Sequence, residues 1–148
     1  MFILPNHVIK MPSFFGSIHS TDSKWTLFLL GLVENIRETK ASKYNNLVNG
    51  KLCPIVFSGP GGILNVMKKA RVMTDHDFQD FDYNAFITTS DYIISVECKP
   101  SSFGFIDGKI VAIDYSGVFE KGTVLELFKT PLFQVYSQLW SQIEHNKK

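Results

Sequence analysis

The chain contains 148 residues, of which 45% are hydrophobic and 20% are charged, and its formal net charge is +1. This composition supplies enough apolar side chains for one core and excludes a largely disordered chain. The nearly balanced charge excludes a broad electrostatic field that would attract nucleic acid or an anionic membrane. The two cysteines, Cys53 and Cys98, lack zinc-site or disulfide spacing, so we expect a reducing, cytoplasmic compartment. No apolar run reaches membrane-spanning length, and we expect one domain over residues 1–148 with no membrane partner.

The first predicted element is an amphipathic helix. Its apolar residues recur at three- and four-residue intervals after the cap candidates Thr21, Asp22 and Ser23. The polar stretch from Lys40 to Lys51 follows and is predicted to be a loop. We therefore expect one apolar face of this helix to pack against a sheet. That face consists of Trp25, Phe28, Leu29, Leu32, Val33 and Ile36.

A hairpin and a short helix are predicted next. The runs Leu52 to Ser58 and Ile63 to Ala70 are apolar and compatible with β-structure, and the turn sequence Gly-Pro-Gly-Gly separates them. Thr74 can cap a short helix that continues through Phe78 and Phe81. The sequence thus predicts a β-hairpin after the polar loop that follows the first helix.

The remaining predicted elements are two strands and a helix. Tyr92 to Val96 and Lys109 to Tyr115 are predicted strands, joined through the turn Asp107-Gly108. A helical stripe from Leu132 to Ile143 follows Thr130 and Pro131. The order of elements predicts an α+β fold with a small antiparallel sheet, the first helix against it and a C-terminal helix.

The segment that begins at Glu97 carries the most chemical information. It reads Glu-Cys-Lys-Pro-Ser-Ser-Phe-Gly, and after a strand and an Asp-Gly turn a second strand ends in Asp-Tyr-Ser. This order resembles the catalytic loop and metal-binding strand of protein kinases, where a catalytic Asp precedes Leu-Lys-Pro-x-Asn and a later strand ends in Asp-Phe-Gly. In that resemblance Glu97 stands at the catalytic Asp and Lys99 matches the catalytic-loop Lys. Ser102 stands at the metal-binding Asn, and Asp114 matches the metal-binding Asp.

The resemblance continues towards the N-terminus. The sequence Val-Ile-Lys ending at Lys10 resembles the strand whose Lys pairs with the ATP phosphates. Glu34 on the first helix is its implied ion-pair partner, and Glu38, one turn further, is the alternative. Met67 and Lys68 fall where the strand and hinge contact the adenine ring. The resemblance therefore implies a pocket for ATP and Mg²⁺.

Departures from the family pattern imply weak catalysis or none. No Gly-rich phosphate cover is found in the seven residues before Val8, and the Gly59 to Gly62 turn lacks the Gly-Lys-Ser/Thr of a phosphate-binding loop. Glu97 has an extra methylene that moves its carboxylate by about 1 Å, and such a misplacement can lower a rate on the order of 10²-fold. Ser102 is also a poorer metal ligand than an amide.

The resemblance thus implies a reduced, bilobal kinase-like core, with the sheet and first helix in residues 1–70 and a reduced C-terminal lobe in residues 71–148. The implied function is that of a degenerate kinase-like protein, or pseudokinase, that acts mainly by binding a macromolecular partner, here expected to be a protein. The short chain is also similar to small kinase-like proteins of bacteriophages, for which the host cytoplasm is the expected location.

Two enzymatic alternatives stay open. The first is a minimal Mg²⁺-dependent phosphotransferase with Glu97 as base, Asp114 for the metal and Lys10 for the phosphates. The second is a metal-dependent nuclease, in which Asp82 or Asp91 joins the Glu-x-Lys motif, and this activity would bring a nucleic-acid partner.

A short basic segment, with Lys68, Lys69 and Arg71, could contact such a nucleic acid. We expect it to be a solvated face instead, because compensating acids follow it in the sequence. Those acids are Asp75, Asp77, Asp80 and Asp82.

Overall fold

The computed structural model describes residues 2–12 and 24–122, and within them the chain forms the predicted α+β fold with antiparallel sheets. The strands are β1 (Phe2–Ile3), β2 (His7–Lys10), β3 (Ile55–Ser58), β4 (Asn65–Lys68), β5 (Arg71–Val72), β6 (Tyr92–Val96), β7 (Phe103–Ile106), β8 (Lys109–Ala112) and β9 (Tyr115–Glu120). The α-helices are α1 (Lys24–Ser42), α2 (Asp75–Gln79) and α3 (Tyr83–Ile87). The predicted C-terminal helix, Leu132 to Ile143, and the cap candidates Thr21 to Ser23 lie outside the described residues.

Strands β1 to β4 form an antiparallel sheet in the order β1-β2-β4-β3. β3 and β4 are the predicted hairpin, and a 3-10 turn at Pro60–Gly62 joins them. Gly62 has a φ of 76°, and a side chain there would clash with the backbone carbonyl of Leu32 on α1. This glycine therefore allows the hairpin and α1 to approach closely.

Helix α1 buries a different face from the predicted one. Trp25 and Leu29, from the apolar stripe, are 68% and 55% exposed, whereas Asn35 and Glu38 are 6% and 3% exposed. Polar groups on β2, β4 and the hairpin turn pair with this buried polar face, so hydrogen bonding rather than apolar periodicity decides which face is covered. The helix also continues into the stretch that was predicted to be a loop, and it ends at Ser42.

The five remaining strands form a three-stranded sheet and a two-stranded pair. β5, β7 and β8 form one sheet, and β6 pairs with β9. The Asp107-Gly108 turn, with φ values of 51° and 77°, is confirmed, but it joins β7 to β8 rather than β6 to the next strand. The predicted strand from Lys109 to Tyr115 is divided by a bend at Ile113 and Asp114, so Tyr115 belongs to β9.

The short helix after Thr74 is confirmed as α2. Thr74 Oγ1 accepts a 3.1 Å hydrogen bond from Asp77 N, and the Asp77 carboxylate accepts a 2.9 Å bond from Thr74 N. The helix ends at Gln79, so Phe81 lies beyond it, contrary to the prediction. A second short helix, α3, follows with Asp82 as its N-cap.

The hydrophobic core surrounds Phe103 and includes residues from all three groups of strands. Phe103 is fully buried, and four aromatic rings from α2, α3 and their connection lie 4.9 to 6.0 Å from its ring centroid. Buried residues of the first sheet, such as Met67, belong to the same cluster as Ile94 and Tyr115 of the β6–β9 pair. Of the helices in the described ranges, none is long and apolar enough to cross a membrane.

Candidate functional site

Lys10, at the end of β2, contacts two carboxylates. Its Nζ lies 2.5 Å from Glu38 Oε1 on α1, 3.4 Å from Asp114 Oδ1 and 3.0 Å from the backbone oxygen of Ile113. β2, α1 and the bend between β8 and β9 thus meet at one ammonium group. Three residues that are far apart in the sequence are brought together by the fold.

Glu34 does not have the ion-pair role that was predicted for it. Its carboxylate accepts a 2.8 Å hydrogen bond from Arg37 and is about half exposed. Glu38 lies one turn later, three residues after Asn35, on the face of α1 that is directed at the sheet. The prediction of Glu34 was therefore wrong, and the alternative partner, Glu38, was right.

Glu38 is held in a buried polar network. Asn65 Nδ2 donates to Glu38 Oε2 at 3.4 Å and to the backbone oxygen of Asn35 at 2.9 Å. Asn35 Nδ2 in turn donates to the backbone oxygen of Gly62 at 2.8 Å. Burial raises the pKa of the Glu38 carboxyl, while the charge of Lys10 and its hydrogen bond act in the opposite direction. The network fixes α1 to the sheet through polar groups.

A cavity of about 550 Å³, here called the main cavity, lies beside this ion pair. Four of the eight predicted site residues line it: Lys10, Met67, Lys68 and Asp114. Its other walls are mostly apolar, with Val8 from β2 among them. An apolar cavity with four cationic side chains and one carboxylate at its wall is suited to a flat apolar group that carries an anionic tail.

The segment that connects β4 to β5 forms part of the wall. The backbone oxygen of Lys68 accepts a 3.1 Å hydrogen bond from Cys53 Sγ, and Lys69 N donates to Asn6 O at 2.9 Å. Within the described ranges, the N–H of Ala70 takes part in no backbone hydrogen bond, and Ala70 lines the cavity. An N–H at this place can donate a hydrogen bond to a ring nitrogen of a bound planar ligand.

Cys53 also lines the cavity. Burial raises the pKa of its thiol to about 11, so it is not a reactive thiolate at neutral pH.

Glu97 and Lys99 lie outside the main cavity. Lys99 Nζ is 2.5 Å from Glu97 Oε2, and this hydrogen bond raises the pKa of Lys99. Glu97 lines a second cavity of about 360 Å³, and Glu34 and Asp114 line it too. Asp114 is therefore common to both cavities, and it connects the predicted base position with the Lys10 ion pair.

Ser102 is not placed to bind a metal ion. It is fully buried, its Oγ has no hydrogen-bond partner among residues 2–12 and 24–122, and it lines neither cavity. Its backbone oxygen accepts a 2.9 Å hydrogen bond from Ile113 N, which supports the bend before Asp114. In the part of the chain that the structure describes, no three His, Cys, Asp or Glu side chains are grouped to hold a metal. Of the two predicted metal ligands, Asp114 lines both of these cavities and Ser102 lines neither.

The carboxylates of the nuclease alternative are engaged elsewhere. Asp82 Oδ1 accepts a 2.9 Å hydrogen bond from Ala85 N and caps α3. Asp91 precedes β6 and Glu97 follows it, so the five residues of that strand, roughly 17 Å, separate them. Asp91 and Glu97 cannot share one metal ion across that distance.

Sequence reasoning missed three contributors to the main site. Asn65 is a fully buried amide, and a polar residue inside an apolar strand is a usable signal because buried amides need partners. Cys53 and Ile113 contribute a thiol and a backbone oxygen, for which the sequence carries no signal.

No protein-family model, curated protein or solved structure matches the chain.

Proposed function

We propose that the chain is a degenerate kinase-like protein that binds a purine nucleotide in the main cavity and acts by binding a macromolecular partner. The contact of Lys10 with both Glu38 and Asp114 at the wall of an apolar cavity carries this proposal. In protein kinases a Lys–Glu ion pair and an Asp that holds Mg²⁺ are both required at the nucleotide site. The same residue types meet here from three distant parts of the chain.

The residues at the main cavity fit such a ligand. Lys10 supplies a positive charge for a phosphate group, and the Ala70 N–H supplies a donor for the edge of a base. Val8 and Met67 supply apolar surface for a ring. Asp114 would hold Mg²⁺ together with phosphate oxygens, and the metal would neutralise the negative charge of those oxygens.

Two observations support binding without efficient transfer. The Glu97 carboxylate is paired with Lys99, so it is less available to accept a proton from a substrate hydroxyl. Ser102, at the position of the second metal ligand, is buried and lines neither cavity. A bound nucleotide would then act as a structural ligand for a surface that a partner recognises.

Phosphotransfer is the second candidate, and the position of Asp114 favours it. Asp114 lines the main cavity and also the second cavity, where Glu97 lies. A hydroxyl substrate in the second cavity would be close to Glu97, while a nucleotide phosphate would be close to Asp114. This arrangement provides the proximity on which phosphoryl transfer depends.

Thermal unfolding with and without Mg²⁺-ATP tests the proposal. Ligand at 100 times its dissociation constant stabilises a fold by about 2.7 kcal/mol, which for a domain of this size corresponds to about 5 to 10 °C. We expect this shift for the unaltered chain and for Glu97→Gln, and its loss in Asp114→Ala. Glu120→Gln is a matched control, because Glu120 is an exposed carboxylate at the end of β9 and lines neither cavity.

The absence of any shift with ATP and GTP would overturn the nucleotide proposal. A shift that persists in Asp114→Ala would place the ligand elsewhere. Phosphate release measured on the same samples separates the two candidates. Rapid turnover that Glu97→Gln abolishes would support the phosphotransferase and contradict a purely binding role.

A further inference from the structure

A groove of about 500 Å³ lies along the segment that connects β4 to β5. It is lined by Lys68 to Arg71, by Asn6 before β2 and by Phe105 to Asp107 at the end of β7. We call it the basic groove. The segment Lys68 to Arg71 also lines the main cavity, so the two concave surfaces share a wall.

Two of the cations in the basic groove have carboxylate partners. Lys68 Nζ lies 2.9 Å from Asp107 Oδ2, and the Asp107 side chain is 82% exposed. Arg71 Nη1 lies 3.1 Å from Asp77 Oδ2, and its guanidinium carbon is 4.3 Å from the ring centroid of Phe105. The exposed Lys68–Asp107 pair contributes little to folding, so Lys68 can exchange the Asp107 carboxylate for one from a ligand.

The third cation, Lys69, is exposed and has no carboxylate within 4.0 Å among the residues that the structure describes. The groove is lined by three cations and one carboxylate, Asp107, and Asp77 pairs with Arg71 from just outside the lining, so the cations exceed their carboxylate partners by 3 − 2 = 1. Asp77 lies outside the lining and already accepts two hydrogen bonds from Thr74. The groove therefore has an uncompensated positive charge although the whole chain is nearly neutral.

We infer that the basic groove binds a short acidic segment of a partner protein, in which carboxylates flank an apolar residue. The carboxylates would pair with Lys69 and with Lys68 or Arg71, and the apolar residue would pack on the half-buried Phe105 and Ile106. A nucleic-acid strand fits less well, because it carries a charge at every phosphate and the groove has one unpaired cation, Lys69, among the described residues. This inference rests on the partner-binding part of the proposed function and is independent of nucleotide binding.

Fluorescence anisotropy with the full chain tests the inference. The probe is a fluorescein-labelled peptide in which Asp-Glu pairs alternate with single Phe or Leu residues, and its control carries Asn-Gln pairs instead. We expect saturable binding of the acidic peptide alone. Lys69→Glu should weaken it by about fivefold, because it removes one exposed charge pair and places a carboxylate beside those of the peptide.

Two matched variants make the result specific. Lys43→Glu reverses an exposed cation that does not line the groove and should leave peptide affinity unchanged. Asp114→Ala should abolish the nucleotide shift and keep peptide binding, so the two proposals can fail separately. Lys69 makes no ion pair within the described ranges, so its replacement is not expected to unfold the domain, and circular dichroism checks this.

Equal weakening by Lys69→Glu and Lys43→Glu would show non-specific charge attraction and overturn the inference. Equal affinity for the Asn-Gln peptide would also overturn it, because charge would then play no part. Tighter binding of a labelled single-stranded oligonucleotide that Lys69→Glu weakens would assign the groove to nucleic acid instead.

Discussion

Lys10 and Glu38 form an ion pair in which the carboxylate is almost completely buried and the ammonium group is partly exposed. Replacing Lys10 with Met leaves a buried carboxylate without its counter-ion. Breaking a buried pair in this way costs about 3–5 kcal/mol. We expect a loss of that size in urea unfolding at neutral pH. We also expect the double variant Lys10→Met, Glu38→Gln to recover most of it, because no buried charge then remains.

The loss of stability in Lys10→Met should depend on pH, because it arises from a buried, charged Glu38. Since the folded-state pKa of Glu38 is raised above its ordinary value of 4.5, the folded protein binds this proton more readily than the unfolded chain. The resulting stability is present below the unfolded value and is lost as pH rises through the folded value. Lys10→Met removes the charge that opposes this shift, so the pKa of Glu38 rises further in the variant, and the cost of the replacement should shrink as pH falls from neutral towards 4.5. A cost that does not change with pH would contradict the burial of a charged Glu38.

At the scale of elements, the reciprocal hydrogen bonds of Thr74 and Asp77 at the start of α2 make the free energy of unfolding depend on pH in the acid range. Hydrogen bonds from the backbone and hydroxyl of Thr74 lower the pKa of Asp77 to about 2. The stability from this ionised carboxylate is present above its unfolded value of 3.8 and is lost as pH falls towards 2. We expect Thr74→Ala to lower the free energy of unfolding by about 1 kcal/mol near neutral pH and to make the acid limb less steep.

Thr88→Ala is the control for that experiment. Thr88 is an exposed residue at the end of α3, and its side chain makes no hydrogen bond within the described ranges. Its replacement should change stability by less than about 0.5 kcal/mol at any pH. Equal effects of the two replacements in urea and acid titrations would show that the α2 cap is not a local source of stability.

Local chemistry made some elements predictable from the sequence and left others open. The Pro60–Gly62 turn and the Asp107-Gly108 turn are determined by residues that favour left-handed backbone angles, so both were predicted. The pairing of β6 with β9 depends on strands about twenty residues apart, and nothing in either strand specifies its partner. The buried face of α1 was wrongly predicted because its partners on the sheet are polar, and apolar periodicity cannot report them.

At the scale of the whole molecule, one buried cluster includes residues from both halves of the described chain. Cys53, between α1 and β3, and Phe103, at the start of β7, belong to it. A shared core makes unfolding cooperative. We expect a single transition in urea, with the loss of far-ultraviolet circular dichroism coinciding with the reaction of Cys53 with a thiol reagent. The variant Cys98→Ser removes the exposed thiol, so the readout reports Cys53 alone. Two separate transitions would show that the sheets unfold independently.

The order of residues in the sequence was enough to predict part of the candidate site. It could not show whether a side chain is directed into the cavity or into the core. Lys10, Met67, Lys68 and Asp114 were selected from the sequence, and they line one cavity. Ser102 was selected by the same alignment, yet it lies in the core because its side chain projects away from the cavities lined by its neighbours Ser101 and Asp114. Sequence spacing gives the position of a residue along the chain but not the side of the backbone on which its side chain lies.

The contact between Gly62 and Leu32 has a mechanical consequence for the ion pair. Asn35, which bonds to the Gly62 carbonyl, and Glu38 lie less than one turn apart on the same rigid helix. The closeness of the hairpin turn to the helix therefore sets how near the helix lies to the sheet at Asn35 and Glu38. A single methyl group at residue 62 would act as a spacer, lifting the helix and separating Glu38 from Lys10. A glycine in the hairpin turn thus limits the distance between two charges that lie on other elements.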